Sequence, residues 1–306
     1  MTSDPTPATL GQLATESEDP RFARIDEMTT AELAETMNDA DATVPATVRG
    51  ALPAIVAAIE DITPRMAAGG RMIYVGAGTS GRIGVLDASE CPTTFGTDPQ
   101  QVQAVMAGGA SAITSPVEGA EDDLGAGESA IDHLDVAEPD CVIGIASSGR
   151  TPFVLGALRR ARSRGALTVG LSGNADAPLH ADVDHAIELF VGPEVIAGST
   201  RLKAGTAQKL VLNMLSTIVM VQLGKTYGNL MIDVQPTNHK LRERAVNIVQ
   251  SLTSADDATA RSTLEDVGFD VKRAVIVLAL GIDPADAARR LERAGGRLKT
   301  VLEAAP

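Results

Sequence analysis

The sequence predicts an α/β protein: a parallel sheet sandwiched by helices, followed by a small C-terminal helical bundle. Three observations predict it. Short β-branched runs alternate with helical stretches across the first two-thirds of the chain, the order that builds a parallel sheet with helical crossovers. One of these runs, Cys141-Val-Ile-Gly-Ile-Ala146, is apolar throughout, as a strand covered on both faces has to be. From about Ala245 onward the strand signal stops and short amphipathic helices take over.

Taken in order, Thr30-Ala-Glu-Leu and the stretch Val44 to Ala68 carry apolar residues at helical spacing, with Gly69-Gly70 as a stop. Residues 1–43 therefore read as an N-terminal helical segment. Strands are expected at Arg71 to Val75, Gln101 to Met106, Cys141 to Ala146, Leu167 to Leu171 and Ala186 to Phe190, which places the sheet domain at 44–246. Ser, Thr and Asp cluster between Asn247 and Asp257, where a link is expected. Helices expected at Ala258 to Val267, Val271 to Leu280 and Pro284 to Ala294 make a three-helix domain over 247–306.

Composition excludes several classes. With 306 residues, 44% hydrophobic and 22% charged, the chain has the profile of a globular protein able to bury a core. The most apolar helix candidate, Leu210 to Leu223, is interrupted by Asn213, Ser216, Thr217 and Gln222 and reads as a core helix, so no membrane partner is expected. Met1 to Pro20 is acidic and polar with no basic start and no apolar core, unlike a secretion signal, and the expected location is the cytoplasm. A net charge of −14 argues against nucleic acid as a partner. Two cysteines and four histidines without ligand spacing predict neither a metal nor a cofactor.

The first expected strand runs into Gly76-Ala-Gly-Thr-Ser-Gly81-Arg82, which has the glycine spacing of a dinucleotide-binding turn. That reading also requires an acidic residue at the end of the second strand, where it would meet the ribose hydroxyls. Here the second strand ends in Met106-Ala-Gly-Gly-Ala-Ser, so the nicotinamide reading is rejected. What remains is a turn in which Gly78 frees backbone N–H groups, Thr79 and Ser80 add hydroxyls, and a helix begins with its positive end outward. A single phosphate suits it. A second such turn, Ser147-Ser148-Gly149-Arg150-Thr151-Pro152, follows the strong central strand, with Pro152 placed to start a helix. Two hydroxyl-rich turns at one sheet edge suggest a sugar phosphate gripped from both sides, although Ser and Thr also serve as plain helix caps. A third cluster, Gly198-Ser199-Thr200-Arg201-Leu202-Lys203, precedes the long core helix, and Lys203 is either an anion contact or part of a solvated helix start.

Two carboxylates stand near these turns. Glu90 lies in Leu86-Asp-Ala-Ser-Glu90-Cys-Pro92, at the expected end of the helix launched by the first turn. Glu121 lies in Val117-Glu-Gly-Ala-Glu121-Asp-Asp123, where a carboxylate at a helix start also interacts well with the helix dipole. Residue type alone does not separate Glu121 from Glu118, Asp122 or Asp87.

These segments, with Gly69-Gly-Arg-Met-Ile-Tyr-Val before the first turn, Gly192-Pro-Glu-Val, Gly198-Ser-Thr-Arg-Leu-Lys-Ala-Gly-Thr-Ala-Gln-Lys209 and Gly228-Asn-Leu-Met, closely resemble the N-acetylmuramic acid 6-phosphate etherases. That family is built on the sugar isomerase fold, which it shares with the glucokinase regulatory protein. The resemblance covers most of Thr43 to Val249. It implies a lyase that cleaves the lactyl ether of N-acetylmuramic acid 6-phosphate, with Glu90 as acid and Glu121 as base, a homodimer, and no cofactor. The sequence departs from the family pattern at Thr93, where a second proline is expected, at Ser147 for alanine and at Gly173 for cysteine. The Thr15-Glu16 stretch is a looser match and leaves the role of Glu16 open. Two alternatives share the fold, a regulatory protein that senses a sugar phosphate and a sugar-phosphate isomerase. A single set of motifs with both glutamates favours the lyase.

Overall fold

A computed structural model describes residues 13–304. The first twelve residues of the expected N-terminal segment, with most of the stretch read for a secretion signal, lie outside the described residues. The chain divides into two compact units. One comprises Met1–Ala88 with Gln101–Leu215, and the other Ser89–Gln100 with Ser216–Pro306.

The first unit contains the sheet. All five expected strands form, with ends shifted by a residue or two: β1 (Met72–Gly76), β2 (Val102–Met106), β3 (Cys141–Ile145), β4 (Leu167–Ser172) and β5 (His185–Glu188). They are all parallel, in the order β2-β1-β3-β4-β5, and Gly76 at the end of β1 is level with Met106 and Ile145. The strand order reverses between β1 and β3. In such sheets the crevice for a ligand opens outside the carboxyl ends of those two strands, where both hydroxyl-rich turns begin.

Before the sheet lie α1 (Thr30–Asp41), α2 (Val44–Gly50) and α3 (Leu52–Ala67). A capping box starts α1: Thr29 Oγ1 accepts from the Glu32 N–H, and the Glu32 carboxylate accepts from the Thr29 N–H at 2.7 Å. The helical stretch expected as one piece from Val44 to Ala68 is divided at Ala51, because Pro53 has no N–H to continue the ladder. The crossovers are α4 (Gly78–Phe95), α5 (Leu124–His133) and α6 (Pro152–Ser163), and α7 (Lys203–Gln222) follows β5. Ile73 and Val75 of β1 and Val142 of β3 share a buried cluster with Ile131 of α5 and Phe153, Val154 and Ala157 of α6. By length and composition α7 could cross a membrane, but over half of it is buried, including Ala207, Val211, Leu212 and Leu215. That burial agrees with its reading as a core helix.

At the amino edge of the sheet, the backbone N–H and guanidinium of Arg71 donate to the buried Asp140 carboxylate, which also accepts from the Ala137 N–H. Burial alone would push Asp140 upward. The hydrogen bonds from Arg71 and Ala137 outweigh it and hold the carboxyl below the ordinary aspartate value.

The second unit contains α8 (His239–Thr253), α9 (Asp257–Asp266), α10 (Val271–Leu280), α11 (Pro284–Arg293) and α12 (Leu298–Glu303). The three expected helices are α9 to α11, with one more on either side. Asn247 to Thr253 form the last turns of α8, and the helix ends at Ser254 in the left-handed region. The Ser, Thr and Asp of that stretch are thus a helix end and the next cap. Asp256, Asp270 and Asp283 each accept a backbone N–H at the start of the following helix. Val246, Val249, Leu264, Val275, Ile276 and Leu298 belong to this unit's core.

Candidate active site

The first turn is built on a close approach. A Cβ placed on Gly81 would lie 2.8 Å from the Gly76 carbonyl oxygen, so only glycine lets α4 start so near the end of β1. Gly78 takes a φ of +54°, which turns the chain into the helix. Gly78, Thr79 and Arg82 line a cleft of about 350 Å³, and its other wall carries Glu118 and Glu121. Arg82 Nε donates to the Ile113 carbonyl, tying this wall together at 3.0 Å. Ser80 is buried and does not line the cleft.

Glu121 sits in a short 3₁₀ turn, Ala120–Asp122, and is exposed. The cap of α5 is not Glu121 but Asp123, whose carboxylate accepts from the Ala126 N–H at 2.8 Å. The dipole account of this acidic run therefore belongs to Asp123. Glu118 and Glu121 face the cleft, a distinction that residue type could not make.

Glu90 is exposed on α4, which begins at the first turn. The helix expected to end near Glu90 runs further: α4 passes Pro92 and stops at Phe95. Glu90 belongs to the second unit through the Ser89–Gln100 segment, whereas Glu121 belongs to the first.

In the second turn, Ser148 Oγ accepts from the Arg150 N–H at 3.2 Å, and Gly149 donates its N–H to the Ala146 carbonyl. Thr151 precedes α6 without capping it through its side chain, and Pro152 takes the first helical position as expected. Ser147 is buried. Its Oγ accepts from Gln208 Nε2 of α7 at 2.9 Å, and its carbonyl accepts from Asn174 Nδ2 at 2.9 Å. Gln208 Oε1 is buried and meets no hydrogen-bond donor among the described residues.

Ser199 and Thr200 are half-buried in the loop before α7, and Thr200 and Thr79 both approach Gly205. The third cluster thus reaches the first turn. Lys203 does not line the same cleft. It is buried, its Nζ donates to the Val191 carbonyl at 2.7 Å, and it faces a separate cavity of about 470 Å³ with Arg21 and Phe190. Burial lowers its pKa, and the nearby Glu194 carboxylate acts against that. Glu194 is buried as well and caps α7, accepting from the Lys203 and Ala204 N–H groups at 3.0 and 2.9 Å. Of the two readings from the sequence, the solvated helix start does not hold, since Lys203 is at a helix start but buried.

Sequence reasoning missed Glu194, Gln208 and Asn174. Gly192-Pro-Glu-Val did stand among the resembling segments, but a cap nine residues before its helix leaves no local pattern. Cys91 and Cys141 are both buried, and burial pushes the Cys141 thiol up to about 12, so it holds its proton at neutral pH. Among the described residues, no group of three or more His, Cys, Asp and Glu is placed to hold a metal ion.

Residues 54–162 match the glucokinase regulatory protein N-terminal SIS domain family, 125–218 the SIS domain family, and 228–292 the C-terminal lid domain of glucokinase regulatory protein. The chain is 54% identical to an N-acetylmuramic acid 6-phosphate etherase of Streptomyces avermitilis, over 98% of this chain and 96% of the relative. It is also 54% identical to the Rubrobacter xylanophilus etherase, over 96% of this chain and 97% of the relative. The etherase of Mycolicibacterium smegmatis is 50% identical over 96% of this chain and 99% of its own length. With such identity along nearly the whole sequence, the chain belongs to the N-acetylmuramic acid 6-phosphate etherase family.

Proposed function

We infer that this protein is a lyase that converts N-acetylmuramic acid 6-phosphate to N-acetylglucosamine 6-phosphate and D-lactate. The observation that carries the reading is the cleft at the carboxyl end of β1, where an anion-binding turn and Glu121 face the same space. Family membership supplies the substrate.

Opening the sugar ring exposes an aldehyde at C1 and makes the C2 proton acidic. Glu121 takes that proton as general base, the C2 electron pair forms a C2=C3 double bond, and the C3–O bond to the lactyl group breaks. Glu90 protonates the departing ether oxygen, which leaves as D-lactate. Water then adds at C3, giving up its proton to Glu90, while Glu121 returns a proton to C2. Two carboxyl groups suffice for both halves.

The phosphate takes no part in bond breaking, so its binding energy serves to position C2 and C3. Gly78 and Thr79 of the first turn, backed by the buried Ser80, supply the anchor, with Ser147, Ser148, Arg150 and Thr151 of the second turn, and Ser199 and Thr200 before α7, holding the sugar. Lys203 supports this edge from within, through its contact with Val191. The enzyme works in the cytoplasm as a homodimer. Its net charge of −14 speaks against a nucleic-acid partner, and the exposed Val56 and Phe190 offer apolar surface for a second copy.

Three variants test the chemistry. Glu121→Gln should lose both lactate release and exchange of the C2 proton in deuterated water, by 10³-fold or more on the scale of about 10²–10⁴ for general acid–base groups. Glu90→Ala should lose lactate release to a similar extent while still exchanging C2. The pattern reversed, or either variant at wild-type rate, would remove these assignments. Thr36→Ala, outside the proposed machinery, should leave both rates unchanged.

A further inference from the structure

Neither carboxylate assigned above opens the sugar ring, yet the elimination depends on the open form. We propose that Glu16 is a third catalytic carboxylate, one that moves a proton between O1 and O5 to open the bound sugar; this rests on the lyase reading.

The N-terminal strand of chain is fastened to the carboxyl edge of the sheet. Asn174, just beyond β4 and buried, donates from Nδ2 to Thr15 Oγ1 at 3.1 Å and to the Ser147 carbonyl at 2.9 Å. Thr15 is itself buried, and Gly173 leaves so little room that a Cβ there would lie 3.1 Å from Thr15 Cγ2 and 3.2 Å from the Ser147 oxygen. One amide thus binds the N-terminal segment to the second turn.

Fastening Thr15 delivers Glu16 to the loop before α7. Its Oε2 lies only 2.9 Å from where a Cβ on Gly198 would stand, so the carboxylate occupies the space that glycine leaves empty. Gly198 opens the Ser199–Thr200 cluster, which reaches the first turn at Gly205 and Thr79. Glu16 therefore stands beside the Ser199–Thr200 loop, next in the chain to the residue that Asn174 ties to the second turn. It is half-buried, and no hydrogen bond or ion pair engages its side chain among the described residues. A carboxylate partly removed from water and left without a donor is costly unless something else binds it. A sugar hydroxyl is such a donor.

The chemistry fits one carboxylate. The carboxylate takes the O1 proton, the O1 electron pair forms the C1=O1 bond, the C1–O5 bond breaks, and the carboxyl group gives that same proton to O5. No net proton is gained or lost, and no further reactant is needed. A group acting this way accelerates interconversion of the two anomers, because the opened sugar recloses on either face.

Anomer exchange therefore provides a readout independent of lactate. With N-acetylglucosamine 6-phosphate and a stoichiometric amount of enzyme, exchange spectroscopy by NMR should show α/β interconversion well above the buffer rate for wild type and for Glu90→Gln. Glu16→Gln should fall to the buffer rate, and its lactate release should drop by about 10²-fold. On the 4,5-dideoxy analogue of the substrate, which has no hydroxyl able to close a ring, Glu16→Gln should match wild type. Overturning results are a wild-type anomer rate no faster than buffer, undiminished anomerisation by Glu16→Gln, or an equal deficit on the acyclic analogue. Failure of the lyase reading looks different, since wild type would then release no lactate from the muramic substrate, while the anomer experiment stands on its own.

Discussion

The two edges of the sheet use their polar groups in opposite ways. At the amino edge, Asp140 is surrounded by donors from Arg71 and Ala137, and the Asp184 carboxylate accepts from both the N–H and the hydroxyl of Thr168 at 2.8 Å. Charge and hydrogen-bonding capacity there are committed to the fold. At the carboxyl edge, among the described residues, Gln208 Oε1 is buried with no hydrogen-bond partner and no partner engages the Glu16 carboxylate, while Thr79 and Glu121 open onto a cleft. In the proposed reaction the substrate completes the hydrogen bonding at this edge, because groups left unsatisfied cost stability unless binding repays it.

The contrast breaks if substitutions at the two edges have the same kind of effect. The largest is expected at Asp140. Asp140→Ala leaves the Arg71 guanidinium without its carboxylate and should cost about 3 kcal/mol of stability by denaturant unfolding, with kcat/KM per folded molecule unchanged. Because the folded-state pKa of Asp140 lies below its unfolded value, its contribution is present above the ordinary aspartate value and fades as pH falls through the folded one. The stability gap between wild type and this variant should therefore stay constant near neutral pH and shrink below about pH 4.

Thr79→Val should show the reverse signature. Losing a hydroxyl that meets an anion removes about 1.5–3 kcal/mol of binding, so KM should rise roughly 10- to 100-fold while the midpoint of unfolding hardly moves. A fall in stability with KM unchanged would place Thr79 with the structural groups instead.

The smallest effect sharpens the comparison within the carboxyl edge itself. The Ser147 hydroxyl already accepts from Gln208, so Ser147→Ala leaves the Gln208 amide with neither end bonded. It should cost about 1 kcal/mol of stability and change KM less than Thr79→Val does. Equal KM effects for the two would make the turns equivalent anchors.

Much of this was legible in the chain. All five strands, the crossover helices and both turns follow from local patterns, because alternation of β-branched and helical runs and the placement of Gly, Ser and Pro act over a few residues. The acidic run at 118–123 was only half legible. Its composition marked a helix start, but which carboxylate capped α5 and which faced the cleft depended on side-chain directions set by Gly119 and Asp123. Glu194 and Lys203 were harder still, since the cap and the cation belong to separate segments joined by a buried contact.

The sequence by itself determined the fold class, the order of the strands along the chain and the chemistry available at their ends, since each is written in residue types at short spacing. Only the tertiary structure decided which of those groups are already bonded and which remain free. Asn174 meets Thr15 and Gln208 meets Ser147 across long stretches of chain, and a hydrogen bond is governed by distance in space, which no spacing along the chain reports.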